Sequence, residues 1–175
     1  MIRIVGHVAG YSAHVQSDTY IPLAIKWLPD RGQNALPLYL MVSGPENAYV
    51  ELNLDVSTGA LIKLVVLGDL PSLATIAPMP KGPDDVLGST ATIDRDRWPG
   101  VPREEDWLEF RPVDVQIDGL AMYRDEDRTV VRFGTRPVTR RIECRGAVIG
   151  VSSSEELMAV EVSGNPTVWS QSDNS

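Results

Sequence analysis

The stretch that most constrains this chain runs from residue 48 to 67, AYVELNLDVSTGALIKLVVL, where two apolar-rich runs flank Ser57-Thr58-Gly59. Valine, leucine and isoleucine suit a pleated, half-buried surface, and glycine supplies the positive φ that a tight turn between antiparallel strands demands. The stretch predicts a β-hairpin. Thirteen prolines and fourteen glycines cut the remainder into short segments, which favours strands and turns over long helices. With 43% hydrophobic residues, the 175-residue chain can bury a core of its own.

Residues 2–10 predict a first strand ending at Gly10, and residues 20–28 (YIPLAIKWL) a second. Pro22 places that second strand at a sheet edge or starts it after the proline, and residues 29–32 close it as a turn. A third run, 36–42, leads into the hairpin. Residues 69–103 carry six prolines and only brief apolar islands, at 73–77 and 90–93. They read as a connector without regular structure, lying over the surface or covering an exposed sheet edge. Residues 101–110 place a proline and acidic residues ahead of Trp107, Leu108 and Phe110, the pattern of a short helix start. Beyond Pro112, Val113, Val115 and Ile117 alternate with Asp114, Gln116 and Asp118, and Asp118-Gly119 predicts a hairpin into a strand holding Leu120 and Met122. Strands at 129–133 and 138–144 then complete an antiparallel meander.

The last regular run is 147–162. Laid beside 53–66, it matches at Leu54/Ile149, Val56/Val151, Ser57/Ser152, Leu61/Leu157 and Leu64/Val160, with one extra residue in the second turn. This is a weak internal repeat, and hairpin grammar shared by coincidence explains it as well as duplication does. Ser152 and Glu155 have capping-box spacing, so 155–160 reads as helix or strand; Val160 and Val162 around Glu161 favour the strand. The expected fold is mainly antiparallel β, or α+β with one or two short helices, packed in a sandwich-like body. One domain is expected, organised as a strand-rich half 1–68, the connector 69–103, a second strand-rich half 104–164 and a tail 165–175.

A net charge of -8 and a pI near 4.7 set the field around the molecule. That field repels nucleic-acid phosphates and anionic lipid, so neither nucleic acid nor a membrane is expected as partner, and it favours a basic protein. Cys144 is the sole cysteine, which rules out an intramolecular disulfide and a thiolate-rich zinc site and points to a reducing, cytoplasmic location. It ends a predicted strand and is expected to be buried and inert.

His7 and His14 are the only histidines. An odd spacing puts them on opposite faces of a continuous strand, so a metal site needs a bend and a distant carboxylate such as Asp18. Such a site would make the protein a metal-dependent hydrolase or another enzyme. The acidic groups Asp84-Asp85, Asp94 with Asp96, Glu104-Glu105-Asp106 and Asp125-Glu126-Asp127 fall in loop-like settings, where solvated charge is the ordinary reading. Glycine-rich phosphate loops, a nucleophile elbow and a calcium-loop pattern are absent from the sequence, so no cofactor is expected. Trp98 stands in the acidic, proline-flanked loop DRDRWPG, a reasonable recognition element. Asp94, Asp96, Trp98, Glu104, Glu105 and Asp106 form the expected contact surface.

Residues 51–67, an acidic strand, Asp-x-x-Thr-Gly and an aliphatic strand, resemble hairpins of small β-rich bacterial proteins, including some immunity proteins of polymorphic toxin systems. The resemblance implies toxin neutralisation and carries no catalytic residues. The expected function is therefore non-enzymatic binding of a protein partner. A structural homo-oligomeric β module that pairs through a sheet edge is the third reading, alongside the enzyme.

Overall fold

A computed structural model describes residues 1–17, 20–29, 37–82, 85–98 and 112–164. The helix expected over 101–110 and the tail from 165 fall outside these residues. Within them the chain is nearly all β. The strands of its first part are β1 (Ile4–Ala9), β2 (Tyr11–Gln16), β3 (Leu23–Pro29), β4 (Pro37–Ser43), β5 (Tyr49–Asp55) and β6 (Leu61–Leu67). Then come β7 (Val86–Leu87), β8 (Ser89–Ile93), β9 (Val113–Gln116), β10 (Leu120–Arg124), β11 (Arg128–Phe133), β12 (Arg140–Cys144), β13 (Ala147–Val151) and β14 (Leu157–Ser163). A single 3₁₀ turn, Pro45–Asn47, is the only helical element among the described residues.

Two six-stranded sheets carry the fold, ordered β2-β3-β6-β5-β4-β9 and β10-β11-β14-β13-β12-β7. Adding eight to each label of β2-β3-β6-β5-β4 gives β10-β11-β14-β13-β12, so five strands of each sheet share one topology. Each is completed by a parallel strand at the same register: Val113 beside Leu40, and Val86 beside Ile142. The inward faces, with Trp27, Leu52 and Leu64 on one side and Phe133, Ile149 and Val160 on the other, belong to one apolar cluster. Period-2 alternation explains them: every second residue of each strand faces the opposing sheet.

The hairpin of 48–67 is β5 and β6, with Gly59 at φ 74. Its counterpart is β13 and β14, so residues 157–163 are strand. The two turns match in detail. Asp55 N donates to the Ala60 carbonyl (2.8 Å) and Gly59 N to the Asp55 carbonyl (2.8 Å); Ser152 N donates to Glu156 and Glu155 N to Ser152 (both 3.0 Å). Glu155 takes the positive φ, 57°, that Gly59 takes in the first turn. A bulge lies at the same place in both, between Asn53 and Leu54 and between Gly150 and Val151. The registers therefore equate Leu54 with Val151, and not with Ile149 as the sequence match has it; the second turn is one residue shorter, not longer. Period-2 strings match equally well after a slip of two, and only the bulge fixes the frame.

A short antiparallel pair, β1 with β8, joins the sheets, with Ile4 directly opposite Ile93. Ile4 N donates to the Glu155 carbonyl (2.7 Å) and Ile93 N to the Gly59 carbonyl (2.9 Å). β1 thus seals the turn of the second hairpin and β8 that of the first. β8 sits within 69–103, so that stretch is not free of regular structure as expected; its Ser89, Thr90 and Ala91 are buried. Propensity undervalued Ser-Thr-Ala because burial and pairing are supplied by β1 and β6.

Residues 70–82 do cover an edge. Leu73 N donates to the Met122 carbonyl and Met122 N to that of Pro71 (both 2.9 Å), which satisfies part of β10, the outermost strand of its sheet. Beyond this, Arg128 Nη2 holds the Ile76 carbonyl (3.0 Å) and Met79 lies over Gly150. A Cβ at Gly150 would stand 2.8 Å from both Met79 Sδ and Val138 Cγ2. Gly150→Val should therefore lift this strap and destabilise by about 1–3 kcal/mol, seen as a lower urea midpoint; an unchanged midpoint would mean the strap packs loosely.

Other expectations differ. Asp118-Gly119 is not a hairpin turn: β9 joins β4 in the first sheet, whereas β10 pairs β11 in the second. Nor do β11 and β12 pair, because β14 lies between them. Alternation specifies which face of a strand is buried, not which strand is its neighbour. β2 was missed because Ser12, His14 and Gln16 dilute its apolar signal. β3 starts one residue past Pro22 and lies inside its sheet between β2 and β6, so the proline stays out of the ladder. Cys144 is buried at the end of β12 with its thiol against the Tyr11 carbonyl.

Candidate binding cleft

Where β8 ends, the chain turns out of the sheet as Asp94–Trp98, and several local bonds shape that exit. Asp94 N donates to the Arg3 carbonyl (3.0 Å), Asp96 N to the Asp94 carboxylate (3.0 Å), and Trp98 N to the Arg95 carbonyl (3.0 Å). Aspartate at the first of these positions is what such a turn selects, since its side chain captures the N–H two residues on. Arg95 Nη1 donates to the Val56 carbonyl, tying the loop to the hairpin turn, and Arg97 Nη2 reaches the Met1 carbonyl (2.8 Å).

Between this loop, the hairpin turn and β1 lies a cleft of about 590 Å³. Asp94, Arg95, Asp96 and Trp98 line one side, with Leu38, Val56, Thr58 and Val5 among the facing groups. The volume is within the roughly 300–1,000 Å³ range of small-ligand sites. Asp94 has one ion pair, Arg3 at 3.9 Å, whose side chain is 71% exposed; pairs of this kind contribute little. Asp96 is exposed and has no ion pair among the described residues.

The structure brings Asp94, Asp96 and Trp98 together on this cleft. Trp98 is only 6% exposed, so its ring forms part of the wall of the cleft. Among the described residues its buried Nε1 has no hydrogen-bond partner. Glu104, Glu105 and Asp106 lie outside the described residues. Leu38, Val56 and Thr58 were not legible as site residues, because hydrophobic patterning assigns them to core and turn.

The histidines are set apart. His7 is on β1 opposite Ala91, while His14 is on β2 opposite Lys26, both exposed. Among the described residues no three His, Cys, Asp or Glu side chains are grouped to hold a metal ion, and Asp18 is outside them. No helix among those residues is long and apolar enough to cross a membrane. Edges open to strand addition are short or partly engaged: β7 has two residues, and Ala13 N of β2 donates to the Arg145 carbonyl (2.9 Å).

The remaining acidic groups serve the scaffold. Asp85 accepts from Arg141 N and Nε (both 3.0 Å) and from Gly82 N (3.1 Å). Burial pushes its carboxyl up, but these bonds and the guanidinium outweigh that and hold it below the ordinary carboxylate value. Asp125 is held low chiefly by the Tyr123 hydroxyl and organises the turn into β11. No family model matches this chain, and a search of curated proteins finds no match to it.

Proposed function

We propose that this protein is a non-catalytic binding protein that engages a basic surface of a protein partner through the Asp94–Trp98 loop. The observation that carries the reading is the cleft itself: Asp94, whose one ion pair is to the exposed Arg3, and Asp96, with no ion pair among the described residues, stand at the rim of a cavity lined by both apolar and polar side chains. A net charge of -8 supports it by steering a cationic partner toward the molecule. Neutralisation of a basic toxin domain is the specific form that the hairpin resemblance favours. The test is affinity capture from the native host with wild type and with Asp94→Lys/Asp96→Lys. A stoichiometric partner should be retained by the wild type and bound about 100-fold more weakly by the variant, because like charges are then opposed. Failure to recover any stoichiometric partner, or equal retention by a folded variant, would overturn the reading.

A further inference from the structure

The β1-β8 joint relates the two halves of the chain to each other. The shared bulge equates Leu61 with Leu157, and hence Gly59 with Glu155 and Ala60 with Glu156. Ile4 N donates to the Glu155 carbonyl (2.7 Å) as Ile93 N does to that of Gly59 (2.9 Å), so Ile4 and Ile93 hold equivalent places. One residue earlier, Arg3 bridges to Glu156 and Thr92 to Ala60, both antiparallel. Ile4 also lies directly opposite Ile93 in the β1-β8 pair, and both are buried. Exchanging the halves therefore maps this pair onto itself. An approximate twofold axis passes between the two isoleucines, the arrangement of an isologous contact between identical subunits.

Exchange between the halves extends beyond the joint. The portion before residue 82 supplies the second sheet with β1, which seals its hairpin turn, and with the strap, where Leu73 N donates to the Met122 carbonyl (2.9 Å) and Arg128 holds the Ile76 carbonyl (3.0 Å). The portion after it supplies the first sheet with β8, whose Thr90 hydroxyl donates to the Leu61 carbonyl (2.9 Å), and with β9 along β4. Inward side chains of both sheets complete one apolar cluster, so neither portion buries its face alone. We infer that the surface between the halves is an obligate protein–protein interface of the kind identical subunits make, and that each half, once separated, is a specific binding partner for the other.

The experiment inserts a site for a sequence-specific protease after the exposed Lys81 of the full chain. After cleavage both pieces should elute together at the mass of the whole chain, with the far-UV spectrum unchanged. Separated in urea and returned to buffer singly, neither should show a cooperative unfolding transition. Mixed in equal amounts, they should regain one whose midpoint rises with protein concentration. Ile4→Ala and Ile93→Ala, at buried positions on the axis, should each weaken reassembly about 30-fold or more. Pieces that part without denaturant, or a piece that folds cooperatively alone, overturn the inference. Reassembly unaffected by either isoleucine replacement overturns the placing of the axis at that pair.

Discussion

Replacing Gly59 with valine should lower stability by about 3 kcal/mol or more, the sum of a left-handed backbone forced on a β-branched residue and a steric collision. Gly59 holds φ 74, and a Cβ there would stand 2.7 Å from the Ile93 carbonyl oxygen and 3.2 Å from the Arg95 stem. That carbonyl belongs to β8, so the strain is delivered to the joint between the sheets. The Gly59 carbonyl accepts from Ile93 N, so displacing the turn also loosens the strand that seals it. The matching turn provides the control. Glu155 already tolerates φ 57, and Glu155→Gly should change stability by less than about 1 kcal/mol. Urea unfolding of both variants decides it: a loss for Gly59→Val no larger than that for Glu155→Gly would overturn the prediction.

Asp55→Ala should cost about 2–3 kcal/mol, because it strips the hairpin turn of its organising acceptor. One oxygen, Oδ1, accepts from Ser57 N (2.9 Å), Thr58 N (2.7 Å), Ser57 Oγ (2.6 Å) and Thr58 Oγ1 (2.9 Å). The residue is 5% exposed, so water replaces few of those bonds. Burial alone would raise the carboxyl pKa; the hydrogen bonds from Ser57 and Thr58 outweigh it and hold the group below its ordinary 3.8. The consequence for pH follows in sign. A carboxyl lower in the folded chain stabilises fully above its unfolded value and loses that contribution as pH falls through the folded value. Asp85 and Asp125 are lowered too, so stability should drop on acidification below about pH 4.

Asp55→Asn preserves the shape and removes one titration, so its loss between neutral and acid pH should be smaller than that of the wild type. Thermal melts across that range test it. Parallel curves would mean the Asp55 carboxylate does not contribute to the acid transition.

The hairpin at 48–67 was legible because its signals agree: apolar runs of strand length, a polar turn and a glycine where φ must be positive. Asp94, Asp96 and Trp98 were legible as neighbours because they are close in sequence. What they face was not. Val5 and Leu38 lie far from them along the chain, and both read as ordinary strand residues until β1 pairs with β8. The burial of Trp98 was not legible for a related reason: the groups that cover a ring in a loop come from elements distant in the chain.

The sequence by itself determined that this chain is a β protein of short strands, since proline and glycine spacing and period-2 alternation act locally and need no partner. Only the tertiary structure decided which strands pair. It sent β9 to the first sheet and β7 to the second, set β14 between β11 and β13, and opened a cleft at one hairpin turn while arginines engage the other. Pairing depends on register, bulges and burial contributed by residues far apart in the chain, and a local pattern carries none of these.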